Sequence, residues 1–410
     1  MSAPLDDITI IEIDNWMAAP SAGAILADLG ANVIKIEPLT GDPMRDMSRP
    51  IKGEGFSEEI KGYDFQFDVD NRGKKSIAIA IDTEAGANLV RKLVTNAQIF
   101  MCNLLIARQK KYGLDPESLF KYNDSLVHAT LTGYGTTGPD ALRPGYDVTA
   151  FFGRSGLYDA QREGEDGLVP MARPAQGDHT TGLALVGSIL AALRQAEKTK
   201  SGQVVETSLY ETAVWTQASD YAVTAIDKAP VRKRDRTHML AITANRFPCG
   251  DGKWVVLNMM PDSAYWPKIC SAIGLEHLIE DERFIDSSAR YKLMPQLIEL
   301  FDQALSLKTR DEWGEIFDQA GLIWGPVLSL DEVPQDPHAV QLGMFPEIEH
   351  PTMGSYATVN IPMRFATTDV GPKGPAPRLG EHTDSILETI DCQQSEVESL
   401  KKNGIVLSSE

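Results

Sequence analysis

The first 37 residues constrain the fold more than any other part of the chain. Ile8–Ile13 is a β-branched run with Glu12 inside it, the composition of a strand. The small residues Ala18-Ala19-Pro20-Ser21-Ala22-Gly23 form a turn and a helix start. Ala22–Leu29 is helical in character, Gly30 is a C-terminal stop, and Asn32–Ile36 is a second strand. A strand–helix–strand unit this short predicts two parallel strands and a right-handed crossover. The pattern recurs. Ser76–Ile81 reads as a strand, Thr83–Thr95 as a helix after Asp82, Ile99–Cys102 as a strand, Pro116–Lys121 as a helix start and Leu126–Thr132 as a strand. Alternation of this kind predicts an open α/β sheet whose ligand lies past the carboxyl ends of the strands.

At 410 residues the chain exceeds one simple core and predicts two interleaved domains. Gly182–Gln195 is a strong helix with a broad apolar face, and Val204–Leu209 is a strand. The character shifts after Trp215, and Ala229–Arg236 reads as a basic linker. Trp254–Met259 is a strand, followed by helices to about residue 320. Val327–Pro377 reads as a long return connection and Glu381–Ile390 as a final helix. The expected division is 1–225 for the first part of a large domain, 226–330 for a small domain with its linker, and 331–410 for the return into the large domain. Gly404–Glu410 is the stretch expected to fray.

The net charge of −19 argues against nucleic acid and anionic membranes as partners. No run of 18 apolar residues and no basic-then-apolar leader is present, so neither a membrane span nor a signal peptide is expected. Cys102, Cys249, Cys270 and Cys392 have neither CxxC nor zinc-site spacing. No metal and no disulfide is expected, and a reducing cytoplasm fits. No GxGxxG follows the first strand, and GxxxxGK[ST] and GxSxG are absent, which removes support for nucleotide redox chemistry and serine hydrolysis.

Three stretches carry candidate chemistry. In Pro174–Gly182, Asp178 stands where a helix N-cap is expected, with backbone N–H groups and the helix dipole keeping its carboxylate ionised. Gly177 and Gly182 would let a ligand approach, and His179 is a candidate base or oxyanion donor. An ordinary capping Asp and a structural His are the plain alternatives. Arg72, Lys74 and Lys75, in Asn71–Ser76, form a basic cluster in an acidic protein. A second follows Asn103 with Arg108, Lys110 and Lys111. Both suit phosphate and both suit a solvated face. Thr132-Gly133-Tyr134-Gly135 ends a strand and suits a backbone contact or a plain turn.

With these pieces together the chain resembles the class III CoA-transferases, the L-carnitine dehydratase/bile acid-inducible protein F type that includes formyl-CoA transferase and α-methylacyl-CoA racemase. Ala18-Ala19-Pro20, Leu26–Pro38, Gly41–Arg45, Gly177-Asp178 with Gly182–Leu193, Ser201–Val205 and Leu379–Thr383 carry the resemblance, which extends over nearly the whole chain. It implies an α/β fold with a Rossmann-like large domain built from both chain ends, a smaller α+β domain, and an interlocked homodimer. It implies coenzyme A as the acyl carrier, an acyl-CoA and a small carboxylic acid as reactants, and Asp178 as the nucleophile, passing through a mixed anhydride and an aspartyl-CoA thioester. Donors near Gly177 and His179 would steady the oxyanions. By the same resemblance coenzyme A would lie along Met17 and Ala18, Arg72–Lys75 with Gly73, Asn103, Leu104 and Leu105, Lys111, and Thr132–Gly135.

The sequence departs from relatives at Pro38, where formyl-CoA transferase has arginine, at Leu104, where Phe is frequent, and at Lys111, where Arg is usual. Lysine keeps the charge but loses the bidentate fork. The glycine run of formyl-CoA transferase is missing, which argues against oxalate. A racemase of the same family would need histidine where Tyr146 stands, and a phenol is a poor base at neutral pH. Transfer is therefore favoured over racemisation, and over a non-catalytic CoA-binding protein. Arg154 and Arg173 are candidates for gripping a second carboxylate, and Phe151-Phe152 for an apolar acyl group; structural roles suit all four equally.

Overall fold

The computed structural model describes residues 2–47, 64–351 and 354–409. The strands in chain order are β1 Thr9–Ile13, β2 Asn32–Glu37, β3 Lys75–Ile79, β4 Ile99–Cys102, β5 Val127–Thr132, β6 Gln203–Ser208, β7 Arg246–Pro248, β8 Trp254–Leu257, β9 Trp324–Val327, β10 Glu347–His350, β11 Gly354–Ala357 and β12 Val406–Leu407. The chain divides into two compact units. One comprises Met1–Tyr158, Met171–Lys228 and His338–Glu410; the other comprises Asp159–Pro170 and Ala229–Pro337. Residues 159–170, which the sequence reading leaves in the first stretch, thus cluster with the second unit.

The larger unit is built on a seven-stranded sheet of order β12-β3-β2-β1-β4-β5-β6, parallel except for β12. Side chains alternate between its two faces. Ile8, Ile10, Val33, Ile99, Met101, Val127 and Ala129 pack on one side, and Ile11, Ile13, Ile34, Ile36, Phe100 and Cys102 on the other. Burial on both sides explains why these strands read as continuous apolar runs. The chain order reverses at β1, whose neighbours are β2 and β4, so the crevice expected of such a sheet lies beyond the carboxyl ends of β1 and β4. Gly404–Glu410 does not fray through its described part. Val406 pairs antiparallel with Ile79 and is buried, and the Thr383 hydroxyl donates to the Leu407 carbonyl at 2.6 Å.

Two helices place the site. Ala18–Asp28 starts earlier than its small residues suggest. Pro20 fits because the first turn has no use for its missing N–H. The helix Gln176–Thr199 also starts earlier than the apolar pattern at Gly182. The two helices pack at glycine. A Cβ on Gly182 would lie 2.2 Å from Ser21 Oγ and 2.9 Å from the Ala18 carbonyl, and one on Gly177 would lie 2.7 Å from the Phe151 ring. These glycines serve packing rather than ligand approach, a correction to the sequence reading. Gly182→Val should force the helices apart at a cost of about 1–3 kcal/mol; a thermal midpoint equal to the parent's would contradict this.

The smaller unit holds the antiparallel sheet β7-β8-β9 and the helices Asp262–Ala272, Met294–Leu305 and Arg310–Gln319. Phe247, Trp266, Phe284, Phe301, Trp313 and Phe317 form its core.

Candidate active site

Beneath the crevice lies a buried ionic network. Glu12, Asp14, Lys35 and Glu37 come from β1, β2 and the turn after β1, and all four are at most 1% exposed. Lys35 Nζ lies 3.0 Å from Asp14 Oδ1, 3.2 Å from Asp42 Oδ2 and 3.5 Å from Glu12 Oε1. Lys74 Nζ donates to Glu12 Oε1 at 2.6 Å, to the Pro20 carbonyl and to Asn71 Oδ1. Arg45 forks onto both Glu37 oxygens at 2.7 Å. Burial, then the charge of Asp14, push the Glu12 carboxyl up to about 7 against the pull of the two lysines. Arg72 pairs with Asp28 at 2.7 Å and is equally buried.

This corrects the expectation of a solvent-facing phosphate cluster at residues 72–75. Arg72 and Lys74 point into the fold with their charges answered there. Gly73 is an exposed left-handed turn residue with φ +72°, and of the three cations Lys75 alone is exposed.

Above the network, Asn15 and Asn103 bridge the crevice. Asn103 Nδ2 donates to the Asn15 carbonyl at 2.7 Å, and the Asn15 N–H donates to Asn103 Oδ1 at 3.3 Å. A cleft of about 390 Å³ opens here, lined by Asn15, Trp16, Ala18, Asn103–Leu105, Arg108, Leu131–Gly133, Arg143–Tyr146, Asp178 and Leu209. A second cavity of about 400 Å³ follows the ends of β1, β2 and β3 past Asp14, Pro38, Asp82 and Tyr112, and it shares Asn15, Leu104 and Arg108 with the first.

Of the residues assigned by resemblance, Ala18, Asn103, Leu104, Leu105, Thr132, Gly133 and Asp178 therefore meet in one cleft. Met17 precedes the helix and lines neither cavity. Lys111 also lines neither; its Nζ lies over the Tyr112 ring at 5.3 Å. Gly135 closes a turn through its N–H to Thr132 Oγ1 at 2.9 Å, and Tyr134 sits between Arg143 and Tyr210. Arg154 pairs with Asp140 at 2.9 Å, and Arg173 is exposed.

Asp178 is not a helix cap. The cap position is Ala175, held left-handed at φ +81°, and Asp178 is the third residue of the first turn. Its carboxylate accepts no hydrogen bond among the described residues. Burial, then the charge of Asp147, raise it to about 7, with Asp70 adding to the rise and His179 opposing it. Against the expectation of a carboxylate kept ionised by its helix, burial and the neighbouring acids favour the protonated form. The His179 N–H bonds to the Ala175 carbonyl at 2.8 Å, so it is not a free oxyanion donor.

Two acids hold this turn, a role that sequence reasoning gave to neither. Asp147 Oδ2 accepts the Ala175 N–H at 2.7 Å and fixes the strained residue before the helix. Asp70, 2% exposed, accepts from His179 Nε2 at 2.9 Å. Burial works against the charged imidazole. The Asp70 bond and charge, with Asp178 alongside, outweigh it and lift His179 above its ordinary value.

Asp178 thus lies in a cleft beside the sheet's reversal point, with Ala18, Leu104, Leu131 and Leu209 around it. The comparisons fix the class. The chain belongs to CoA-transferase family III, whose model matches residues 5–383. It is 28% identical to an (R)-2-hydroxy-4-methylpentanoate CoA-transferase of Clostridioides difficile over 98% of this chain and 99% of the relative. It is 30% identical to a succinate–glutarate CoA-transferase of Agrobacterium fabrum over 95% and 96%. The crystal structure of a CAIB/BAIF family protein from Brucella suis matches with a TM-score of 0.84 at 29% identity, covering 95% of this chain and all of that one. The protein is an enzyme of the CoA-transferase class, and coenzyme A is the carrier its family implies.

Proposed function

We propose that Asp178 is the nucleophile that carries coenzyme A from a donor acid to an acceptor acid. The observation that carries this reading is its place: among the described residues it is the only carboxylate lining the cleft that also holds Ala18, Asn103 and Gly133. The ionised carboxylate attacks the donor thioester carbonyl, forms a mixed anhydride and releases CoA thiolate. The thiolate attacks the Asp178 carbonyl of the anhydride, giving an aspartyl-CoA thioester and freeing the donor acid. The acceptor carboxylate attacks that thioester, and the returning thiolate takes the acceptor's acyl group and restores Asp178. Each step exchanges one acyl bond for another of similar energy.

The cleft residues and the second cavity provide room for coenzyme A, with Arg108 as the cation that lines both. Tyr146 lines the cleft as a phenol, which favours transfer over racemisation. The test is to incubate the protein with an acyl-CoA, trap with hydroxylamine or borohydride, and locate the modification by mass spectrometry. Label at Asp178 is expected; label at any other residue overturns the assignment.

Attack needs the ionised carboxylate, so kcat/KM should rise about tenfold per pH unit below about 7 and level off above it. His179→Gln removes the opposing positive charge and should move that limb to higher pH. An unchanged limb would remove His179 from the site's electrostatics.

A homodimer forms part of the same proposal. The helix Ala218–Asp227 buries none of its residues, and Trp215, Val223 and Ile226 are 78%, 58% and 84% exposed. Sedimentation should return twice the chain mass; a monomer would count against it. Placement in the cytoplasm is likewise proposed, in keeping with four buried free cysteines.

A further inference from the structure

Trp16 carries a backbone that tryptophan rarely adopts. Its φ is +70°, in the left-handed region where a bulky side chain is strained. The conformation is imposed from outside: the Trp16 N–H donates to Asp42 Oδ1 at 3.2 Å, and Asp42 is itself locked to Lys35 and to the Met44 N–H. Such strain persists where surrounding structure over-determines it, and it clusters at functional sites. Glycine would sit here without strain, so tryptophan at this position implies a use for the ring.

The ring meets Tyr146 edge to face, with centroids 5.5 Å apart and an interplanar angle of 89°. Both residues line the cleft that contains Asp178, and Tyr146 is 51% exposed. Leu131 and Leu209 line the same space. Of the two cations lining the cleft among the described residues, Arg108 also lines the second cavity, where coenzyme A has room, and Arg143 is already shared between Asp140 at 3.7 Å and the face of Tyr134 at 5.6 Å.

Resting on the reading of Asp178 as nucleophile, we infer that Trp16 and Tyr146 form an aromatic wall that reads the acyl group, and that the acids served are branched-chain or aryl monocarboxylic acids rather than dicarboxylic ones. Aromatic edges and faces gain from such groups and offer a free carboxylate nothing.

The test compares 4-methylpentanoyl-CoA, 3-phenylpropanoyl-CoA and glutaryl-CoA as donors to acetate, by kcat/KM, in the parent and in Trp16→Gly and Trp16→Phe. The parent should prefer the first two. Trp16→Gly should lower that preference roughly ten- to a hundredfold, the scale on which a hydrophobic pocket discriminates. Trp16→Phe should keep most of it. The thermal midpoint of Trp16→Gly should be no lower than the parent's, because glycine relieves the strain. A parent that prefers glutaryl-CoA, or a preference ratio unmoved in Trp16→Gly, overturns the inference while leaving transfer at Asp178 intact. A lowered midpoint with equal losses for all donors marks Trp16 as structural and also overturns it. A parent that transfers CoA to no acid removes the functional reading and this inference together.

Discussion

Asp178→Ala should lose CoA transfer by at least about 10⁴-fold while remaining folded, since removing a covalent nucleophile leaves only binding and orientation. The stability of the site's variants gives a second, independent readout. The folded Asp178 carboxyl holds its proton up to about pH 7, whereas an unfolded Asp releases it near its ordinary value of 3.8. Between those values the folded state binds more protons than the unfolded one, so this group's contribution to stability falls as pH rises through the window. Asp178→Asn keeps the shape and removes the ionisation. It should therefore be inactive and melt higher than the parent at pH 8, with the difference fading as pH falls toward 4. Circular dichroism melts at three pH values measure it. An Asn variant that melts lower at pH 8 would mean that the ionised carboxylate supports the fold and that burial does not hold its proton to neutral pH. A variant that retains transfer at near-parent rate would end its role as nucleophile.

The frame of the fold was legible because each strand is buried on both faces. Ile99–Cys102 is apolar throughout and Ile8–Ile13 is so apart from Thr9 and Glu12, and that pattern needs no knowledge of partners. Helix starts were less legible. Ala18–Pro20 and Gln176–Asp178 lack the apolar periodicity of a helix, because close packing at Gly182 and Gly177 calls for small residues instead. The charges of the site were the hardest to read. Arg72 and Lys74 look like phosphate ligands in a linear sequence, and only folding reveals Asp28 and Glu12, 44 and 62 residues away, as their partners. The hold of Asp70 and Asp147 on residues 175–179 was invisible for the same reason: it acts across 109 and 28 positions of chain. No local motif encodes a contact of that span. Trp16 left a trace only in its φ, which sequence does not display.

Lys35→Met should be the most destabilising of the network's substitutions. Methionine matches the length of much of the lysine stem, so the loss is of charge more than of volume. Lys35 stands among Glu12, Asp14 and Asp42, all buried, and its removal leaves three acids facing one another with Lys74 alone in reach of Glu12. Breaking a buried pair on one side typically costs about 3–5 kcal/mol, because the remaining charge cannot regain its water. The sign with pH follows from which groups titrate. Lys35 itself is raised above its ordinary value by Asp14 and Glu12 despite burial, so its own contribution is fully present throughout the neutral range and fades only in strong alkali. The acids set the dependence instead. As pH falls through the raised Glu12 value near 7, that carboxyl takes up a proton and the repulsion in the variant drops. The deficit relative to the parent should therefore be largest near pH 8 and shrink toward pH 5, when followed as the thermal midpoint. A deficit that is constant across that range would show that Lys35 acts by packing alone. Because Asp42 also accepts the Trp16 N–H, the same variant should loosen the aromatic wall, and its preference among acyl donors should weaken in step with its stability.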